Sequence, residues 1–267
     1  MNWVDLNCDL GEGFGAYTIG CDAEIIPLVT SVNIGCGFHG GDPVTMAVAV
    51  AMAAEAGVGI GAHPGLPDLL GFGRREMAVS PAEAAAYVTY QVGALAAFCT
   101  ARGARLSHVK PHGALYNMAA RDEALARAIA EAVARVDGDL ILLGLSGSAL
   151  PMAAARAGLR AVSEVFADRA YLADGSLAPR GMPGAVLHDA EAAAARVVRM
   201  LTERRVETLD GGEIAVELQS VCVHGDGAEA LAFVRGLRGS LQQAGAALLP
   251  LAEGLARDGQ NTAVSHG

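Results

Sequence analysis

The chain has 267 residues, a formal charge of −10 and a composition that is 52% hydrophobic and 18% charged. The high apolar fraction excludes a disordered chain, and the acidic balance argues against a nucleic-acid surface, which needs clustered positive charge. Five cysteines without C-x-x-C spacing favour reduced thiols over a zinc ribbon or a disulfide framework. Because no signal peptide is apparent and the most apolar stretch, 44–54, is shorter than the roughly 20 residues a bilayer needs, we expect a cytoplasmic protein without a membrane partner.

Short apolar runs alternate with longer alanine-rich runs along the chain. The short runs lack strict apolar–polar alternation, which is typical of strands buried on both faces. Strands are predicted at 4–8, 31–36, 58–62, 106–110, 140–145, 161–166 and 220–224, with a weaker eighth at 247–251. A turn-rich loop is predicted over 170–184, and Asp210-Gly211-Gly212 predicts a hairpin.

Helix signals lie between these strands. Asp42-Pro43, the capping-box pair Ser80 and Glu83, and Asp189 are typical of helix N-termini. Repeated strand–helix units predict a parallel sheet with right-handed crossovers. Seven or eight such units favour a closed (β/α) barrel, with an open doubly wound sheet as the alternative. We expect a single α/β domain over 1–254 and a poorly ordered tail over 255–267.

Polar residues gather where the predicted strands end, which is where the loops of a (β/α) barrel carry chemistry. The i, i+2 spacing of Asp5, Asn7 and Asp9 puts their side chains on one face of the first strand. The fourth strand shows the same spacing in His108, Lys110 (the only lysine) and His112. Inward charge is costly unless it is paired or faces a wet pocket, so we predict a polar catalytic cleft, with a purely structural polar network as the alternative.

A glycine-rich stretch, 35–41, surrounds His39 just before a predicted helix. Bare amides at a helix N-terminus suit a carboxylate, a phosphate or an oxyanion. Alternatively, Asp42 uses those amides as the helix N-cap. The chain has no G-x-x-x-x-G-K-[ST], G-x-S-x-G or H-E-x-x-H pattern, which argues against a P-loop, a serine hydrolase elbow and a zincin.

Long blocks of the sequence resemble the LamB/YcsF family. They are 5–13 (DLNCDLGEG), 33–42 (NIGCGFHGGD), 61–65 (GAHPG) with 71–74 (GFGR), 109–117 (VKPHGALYN) and 164–171 (EVFADRAY). The resemblance implies a barrel like those of the glycoside hydrolase/deacetylase group. It also implies one subunit of an ATP-dependent 5-oxoprolinase, which opens the lactam of 5-oxo-L-proline to L-glutamate together with partner subunits B and C.

Because the chain has no nucleotide loop, we expect the partner subunits to bind ATP and activate the lactam, for instance by phosphorylation. This chain would then hydrolyse the activated intermediate, using a base, oxyanion or phosphate donors and a cation for the substrate carboxylate. We expect Asp9 or His39 as the base, and Lys110, Arg169 and then Arg74 as the cations. The full set of expected catalytic residues is Asp9, His39, His63, Lys110, His112, Glu164, Asp168, Arg169 and His224. Substrate contacts are expected from Asn7, Asn33, Gly40, Gly41 and Arg74.

Two other functions stay open at this point. Asp9, His39 and His63 could form the metal site of a stand-alone metal-dependent deacetylase or amidohydrolase, although their spacing departs from a tight H-x-x-x-H pair. The chain could also be a non-catalytic scaffold that positions its partners. Metal analysis tests the first alternative, and substitutions in the cleft without effect on activity would favour the second.

Overall fold

Parallel strands close into a barrel in the computed structural model, which describes residues 3–224 and 230–264. The strands are β1 (Trp3–Leu10), β2 (Ser31–Gly35), β3 (Gly59–His63), β4 (Leu106–Val109), β5 (Ile141–Leu145), β6 (Arg160–Phe166), β7 (Arg205–Glu207), β8 (Glu213–Ala215), β9 (Ser220–His224) and β10 (Ala247–Leu248). Strands β1 to β6 lie side by side in chain order, β9 follows β6, and β9 pairs with β1. This last pairing closes a ring of seven strands, so the barrel prediction is confirmed and the open-sheet alternative is wrong.

Helices pack around the ring of strands. They are α1 (Asp22–Ile25), α2 (Pro43–Ala56), α3 (Pro81–Ala101), α4 (Gly113–Arg121), α5 (Glu123–Val136), α6 (Ala149–Arg156), α7 (Ala190–Glu203), α8 (Ala230–Gln243) and α9 (Leu251–Val264). The expected N-terminal signals are confirmed: Asp42 and Asp189 accept hydrogen bonds from the first amides of α2 and α7, and Ser80 and Glu83 form a capping box at α3.

The eighth predicted strand lies outside the ring. It forms the two-residue β10, which pairs only with Trp3 and Val4 at the start of β1. The predicted hairpin is present as the antiparallel pair β7–β8, and residues 170–184 form the predicted loop without helix or regular strand. The expected domain boundary at residue 254 falls within α9.

Helix α3 is long and apolar enough to cross a membrane, judged by length and composition alone. Its apolar stripe, which includes Val88, Val92, Leu95 and Cys99, is buried in the main hydrophobic core between the helices and the strands. Core helices of globular proteins satisfy the same length and composition test.

The barrel interior is polar on the β1 side. Along β1, Leu6 and Cys8 belong to the hydrophobic core, while Asp5, Asn7 and Asp9 make hydrogen bonds to side chains of other barrel strands. The predicted one-face arrangement of Asp5, Asn7 and Asp9 is therefore confirmed. It follows that the strand ends deliver polar groups to the axis of the barrel.

Candidate active site at the carboxyl ends of the strands

Lys110, just after β4, carries a buried ammonium near the barrel axis. Its Nζ lies 3.0 Å from Asp9 Oδ1 and 2.9 Å from Glu164 Oε1, and it also donates to Asn7 Oδ1 at 3.2 Å. Burial by itself would lower the pKa of Lys110, but Asp9 and the other acidic neighbours outweigh it and raise the pKa above its ordinary value. The group is therefore a fixed positive charge, 2% exposed.

Glu164, on β6, contacts Lys110 and also accepts hydrogen bonds from two other side chains. Asn7 Nδ2 donates to Glu164 Oε1 at 2.8 Å and to Ser220 Oγ at 2.7 Å. The hydroxyl of Tyr116, on α4, donates to Glu164 Oε2 at 2.8 Å. Both oxygens of this fully buried carboxylate are thus satisfied, and Glu164 is held in one position against Lys110.

Asn33 fixes the orientation of Asp9. Its Nδ2 donates to Asp9 Oδ1 at 2.8 Å and to Asn7 Oδ1 at 2.7 Å, and its Oδ1 accepts from His108 Nε2 at 2.9 Å. Burial lowers the pKa of His108 to about 3, so this imidazole is neutral. Asn7 and Asn33, both expected to contact substrate, lie fully buried in this network.

Four side chains that could hold a metal ion cluster beside Asp9. They are Glu12, His39, His63 and His112, whose donor atoms all lie within 4.8 Å of one another. Glu12 Oε1 lies 2.9 Å from His39 Nε2 and 3.2 Å from His112 Nδ1. Burial would raise the pKa of Glu12, but the neighbouring side chains of His112 and His39 hold it below its ordinary value. The donor set differs from the predicted Asp9, His39 and His63, because Glu12 and His112 take part.

His39 is a fully buried member of this cluster. Its ring is fully buried and stacks on the ring of His112, with centroids 3.6 Å apart and planes 2° from parallel. Burial lowers the pKa of His39 to about 3. It does not line the cavity at the barrel mouth, whereas Asp9, the other expected base, does.

His224 and Asp168 form a pair on the far side of the same cavity. His224 Nδ1 lies 2.6 Å from Asp168 Oδ2, and because a carboxylate only accepts, Nδ1 carries the proton. Burial would raise the pKa of Asp168, but the contact with His224 outweighs burial and the pKa is lowered. This arrangement leaves Nε2 of His224, a cavity-lining residue, available as an acid or base.

Cationic side chains line a cavity of about 310 Å³ at the barrel mouth. Its wall includes Lys110, Arg169, Arg74 and Arg180, with Asp9, His63, His112 and His224 among the remaining residues. Burial and the nearby charge of Arg180 lower the pKa of Arg169 to about 10. Like charges held together in this way favour an anionic ligand.

The expected glycine contacts lie in a different environment. The amide of Gly41 donates to the carbonyl oxygen of Gly13 at 2.9 Å, so it is engaged within the protein. Gly40 packs against the backbone of Glu12, and the carboxylate of Asp42 caps α2. Gly40 and Gly41 are not among the residues that line the barrel-mouth cavity.

The predicted set lacks several residues of the described site, among them Glu12, Tyr116, Arg180 and Cys222. Lys110 Nζ donates to Cys222 Sγ at 3.0 Å. The i, i+2 spacing of Ser220, Cys222 and His224 along β9 is a signal that could have identified Cys222. Tyr116 follows His112 by one helical turn, which is a second usable signal.

The arrangement combines a fixed ammonium, oriented carboxylates, neutral imidazoles and a rim of arginines around one small cavity. These groups can bind an anionic small molecule, deprotonate a water molecule and protonate a leaving group. The cavity volume lies at the lower end of the range that is usual for small-molecule sites.

Comparison with known proteins places this site in a family context. The chain is 56% identical over 248 residues to the A subunit of 5-oxoprolinase from Geobacillus kaustophilus, covering 93% of this chain and 96% of that protein. It is 54% identical over 253 residues to the A subunit of 5-oxoprolinase from Bacillus subtilis, covering 95% and 98%. The crystal structure of a lactam utilization protein from Thermus thermophilus is 53% identical, with a TM-score of 0.87 over 93% of this chain and 100% of that one. The LamB/YcsF family profile matches residues 4–256, and the chain therefore belongs to the LamB/YcsF family.

Proposed function

We propose that the chain is the A subunit of an ATP-dependent 5-oxoprolinase and that it hydrolyses an activated form of the 5-oxo-L-proline lactam to L-glutamate. The names of its relatives support a hydrolase acting on a cyclic amide and a complex of several subunits. The observation that carries the proposal is the cavity that combines Asp9 and Lys110 with a rim of arginines. The same names do not favour a stand-alone deacetylase.

Activation of the lactam is assigned to partner subunits B and C. The chain contains no G-x-x-x-x-G-K-[ST] loop that would hold the phosphates of ATP. A lactam carbonyl is a poor electrophile, and ATP supplies the driving force if its terminal phosphoryl group is transferred to the lactam oxygen. The net reaction consumes the lactam, ATP and two water molecules, and it yields glutamate, ADP and phosphate.

The arginine rim suits such a substrate. A phosphorylated lactam carries the carboxylate of 5-oxoproline and a phosphoryl group, so it presents two anionic ends. Arg169 and Arg74 would bind these anions, with Arg180 beside Arg169. Lys110 lies deeper in the cavity, where its ammonium would stabilise the negative charge of the phosphoryl group and of the attacking oxygen.

Asp9 is the proposed base. It lines the cavity, Asn33 and Lys110 hold its Oδ1, and its Oδ2 lies 3.3 Å from His63 Nε2. A water molecule bound beside this carboxylate would lose its proton as it attacks the lactam carbon. The carbon–nitrogen bond then breaks to give glutamyl phosphate, and His224, oriented by Asp168, would supply a proton to the leaving nitrogen. The second water molecule of the net reaction would then attack the acyl phosphate and release glutamate and phosphate.

The proposal includes the cellular setting. ATP-dependent chemistry and five cysteines without a disulfide fit a reducing compartment, so we assign the complex to the cytoplasm.

Reconstitution of the complex tests the proposed function. ATP-dependent glutamate release is measured with this chain alone, with B and C alone, and with all three. We expect glutamate only from the full set. Release of glutamate from 5-oxoproline at an equal rate by B and C without this chain would contradict the proposal, as would equal release by this chain without them.

A further inference from the structure

His63 and His112 each have one ring nitrogen committed to a backbone carbonyl oxygen. His63 Nδ1 lies 2.7 Å from the carbonyl oxygen of Lys110, and His112 Nε2 lies 2.8 Å from that of Phe72. A carbonyl oxygen can only accept a hydrogen bond, so both of these nitrogens carry protons. In the neutral rings, the lone pairs therefore lie on His63 Nε2 and His112 Nδ1.

These two lone-pair nitrogens face each other at 3.0 Å. Two acceptors at that distance repel each other unless a cation lies between them or beside both. A carboxylate oxygen adds to this repulsion, because Glu12 Oε1 lies 3.2 Å from His112 Nδ1 and 3.9 Å from His63 Nε2. All three residues are at most 5% exposed, so these atoms are largely withdrawn from bulk water.

The charges of the surrounding groups also favour a bound cation. Two buried carboxylates, those of Asp9 and Glu164, contact the one ammonium, that of Lys110, and a third, that of Glu12, contacts the histidines beside Asp9. With the imidazoles neutral, these four groups leave two uncompensated negative charges. A divalent cation cancels them.

The spacing of the donors fits a tetrahedral shell. Ligand atoms about 2.0 to 2.1 Å from a zinc ion stand about 3.3 Å from one another. The pairs His63–His112 and Glu12–His112 are separated by 3.0 and 3.2 Å. The Glu12–His63 separation of 3.9 Å is wider, and a small rotation of the carboxylate would close it.

His39 is excluded from the same shell by its orientation. A ring nitrogen binds a metal in the plane of its ring, and the rings of His39 and His112 are parallel and stacked 3.6 Å apart. One ion cannot lie in both planes. His39 Nε2 instead donates to Glu12 Oε1 at 2.9 Å, as an outer partner that orients a ligating carboxylate does.

We propose that Glu12, His63 and His112 bind one divalent transition-metal ion, of which zinc is the best match, and that His39 positions Glu12 for it. Two imidazoles and one carboxylate are a donor set that zinc accepts, with a fourth position left over. His63 and His112 line the cavity beside Asp9, so the fourth position lies on the cavity side. The backbone carbonyls of Lys110 and Phe72 are the outer partners that fix the tautomers.

Metal binding is measured on the purified full-length chain without substrate, so its result is independent of the proposed function. After chelation and dialysis, the chain is titrated with Zn²⁺ or Co²⁺. We expect about one ion per chain by elemental analysis, a visible absorption band of low-coordinate Co²⁺, and a Tm that rises with added Zn²⁺.

Substitutions assign the ligands. Glu12→Gln, His63→Gln and His112→Gln each remove one donor and should abolish stoichiometric binding. His39→Gln should keep one site but weaken it by about 10- to 100-fold. His188→Gln, at an exposed histidine, is the matched control and should bind as the unaltered chain does.

If a variant does not fold, metal binding by the unaltered chain is the deciding measurement. Failure of Zn²⁺ and Co²⁺ to bind stoichiometrically to the folded unaltered chain would overturn the inference and leave a shared proton between His63 and His112. Undiminished binding by folded His63→Gln and His112→Gln variants would overturn the assignment as well.

Discussion

The ammonium of Lys110 and the carboxylate of Asp9 form a 3.0 Å ion pair inside the barrel, although 101 residues separate them in the chain. Asp9 lies near the end of β1, and Lys110 directly follows β4. The closed ring of parallel strands brings both side chains to the same end of the barrel. The pair therefore depends on the fold and on the partners that hold each side chain.

The first prediction concerns the stability of this pair. Lys110→Met leaves the buried carboxylates of Asp9 and Glu164 without their cation, so we expect the free energy of unfolding to fall by about 3 to 5 kcal/mol. The double variant Lys110→Met/Glu164→Gln should lose less than the sum of its single variants, because one uncompensated charge is removed. Urea denaturation of the single and double variants measures the difference.

The exposed pair of Arg105 and Asp139, with side chains 73% and 75% exposed, is the matched control. Its double-variant cycle should give a coupling of at most about 1 kcal/mol. A coupling of the same small size between Lys110 and Glu164 would show that the buried ion pair contributes no more than a surface one.

The second prediction concerns His224 as an acid. Asp168→Asn removes the carboxylate that holds the proton on His224 Nδ1, so the tautomer that presents Nε2 as an acid or base is lost. We expect kcat for glutamate formation by the reconstituted complex to fall by about 10²- to 10⁴-fold, the usual size of a general acid–base contribution. Asp174→Asn, at an exposed position of the same loop, should leave kcat unchanged. Equal kcat values for the two variants would remove His224 from the mechanism.

The third prediction concerns the pH dependence of stability. Burial raises the pKa of Asp5 to about 6 from 3.8, against the lowering effect of hydrogen bonds from Ser220, Ser31 and Thr30. The folded state then binds a proton more tightly than the unfolded chain does. This group therefore contributes stability below pH 3.8 that is lost as the pH rises through 6, by about 3 kcal/mol in total.

Asp5→Asn removes this titration. The difference in the free energy of unfolding between the variant and the unaltered chain should change with pH between 4 and 7 in favour of the variant at the higher pH. Asp139→Asn, at an exposed carboxylate, should track the unaltered chain over the same range. A difference for Asp5→Asn that does not vary with pH would show that Asp5 has an ordinary pKa in the folded state.

The fourth prediction compares two glycines with similar backbone conformations. Gly41 has a φ of +78°, and a Cβ there would lie 2.8 Å from the carbonyl oxygen of Gly11 and closer still to that of Gly35. Gly147 has a φ of +76° with open space around it. Gly147→Ala should cost about 1 to 2 kcal/mol for the left-handed conformation alone, while Gly41→Ala should cost clearly more or prevent folding. Equal losses in chemical denaturation would mean that the loops around Gly41 can separate.

Gly41 shows why the role of the glycine-rich stretch 35–41 was ambiguous in the sequence. Glycine suits a position where a backbone amide binds an anion. It also suits a position where close packing leaves no room for a Cβ. Gly41 contacts Gly11, which lies in a segment distant in the chain, so only the folded chain shows that close packing accounts for this position.

Much of the barrel was predictable because parallel strands leave a strong local signature. Apolar runs located the seven strands of the ring, and i, i+2 spacing located Asp5, Asn7 and Asp9 on the inner face. Glu12 escaped the same argument because Gly11, with a φ of +64°, ends the strand alternation between Asp9 and Glu12. The alternation of side chains between the two faces of a strand cannot be extended past such a residue.

The sequence did not predict how deeply each histidine side chain is buried. His39 follows a strand end as His63 does, and both fit the pattern of a barrel-mouth histidine. In the fold, His63 reaches the cavity, while His39 stacks behind His112 and is fully buried. Loop geometry, which sets this difference, depends on contacts between segments that are distant in the chain.

The most direct measurement is glutamate formation by a complex that contains the Asp9→Asn variant. Asparagine preserves the shape of the side chain but cannot accept a proton from water, while assembly with subunits B and C is checked by co-purification. Glutamate formation is expected to fall at least about 10²-fold, with the Asp139→Asn complex as active as the unaltered one. An assembled Asp9→Asn complex that produces glutamate at the normal rate would show that the barrel-mouth carboxylate does not carry the hydrolysis.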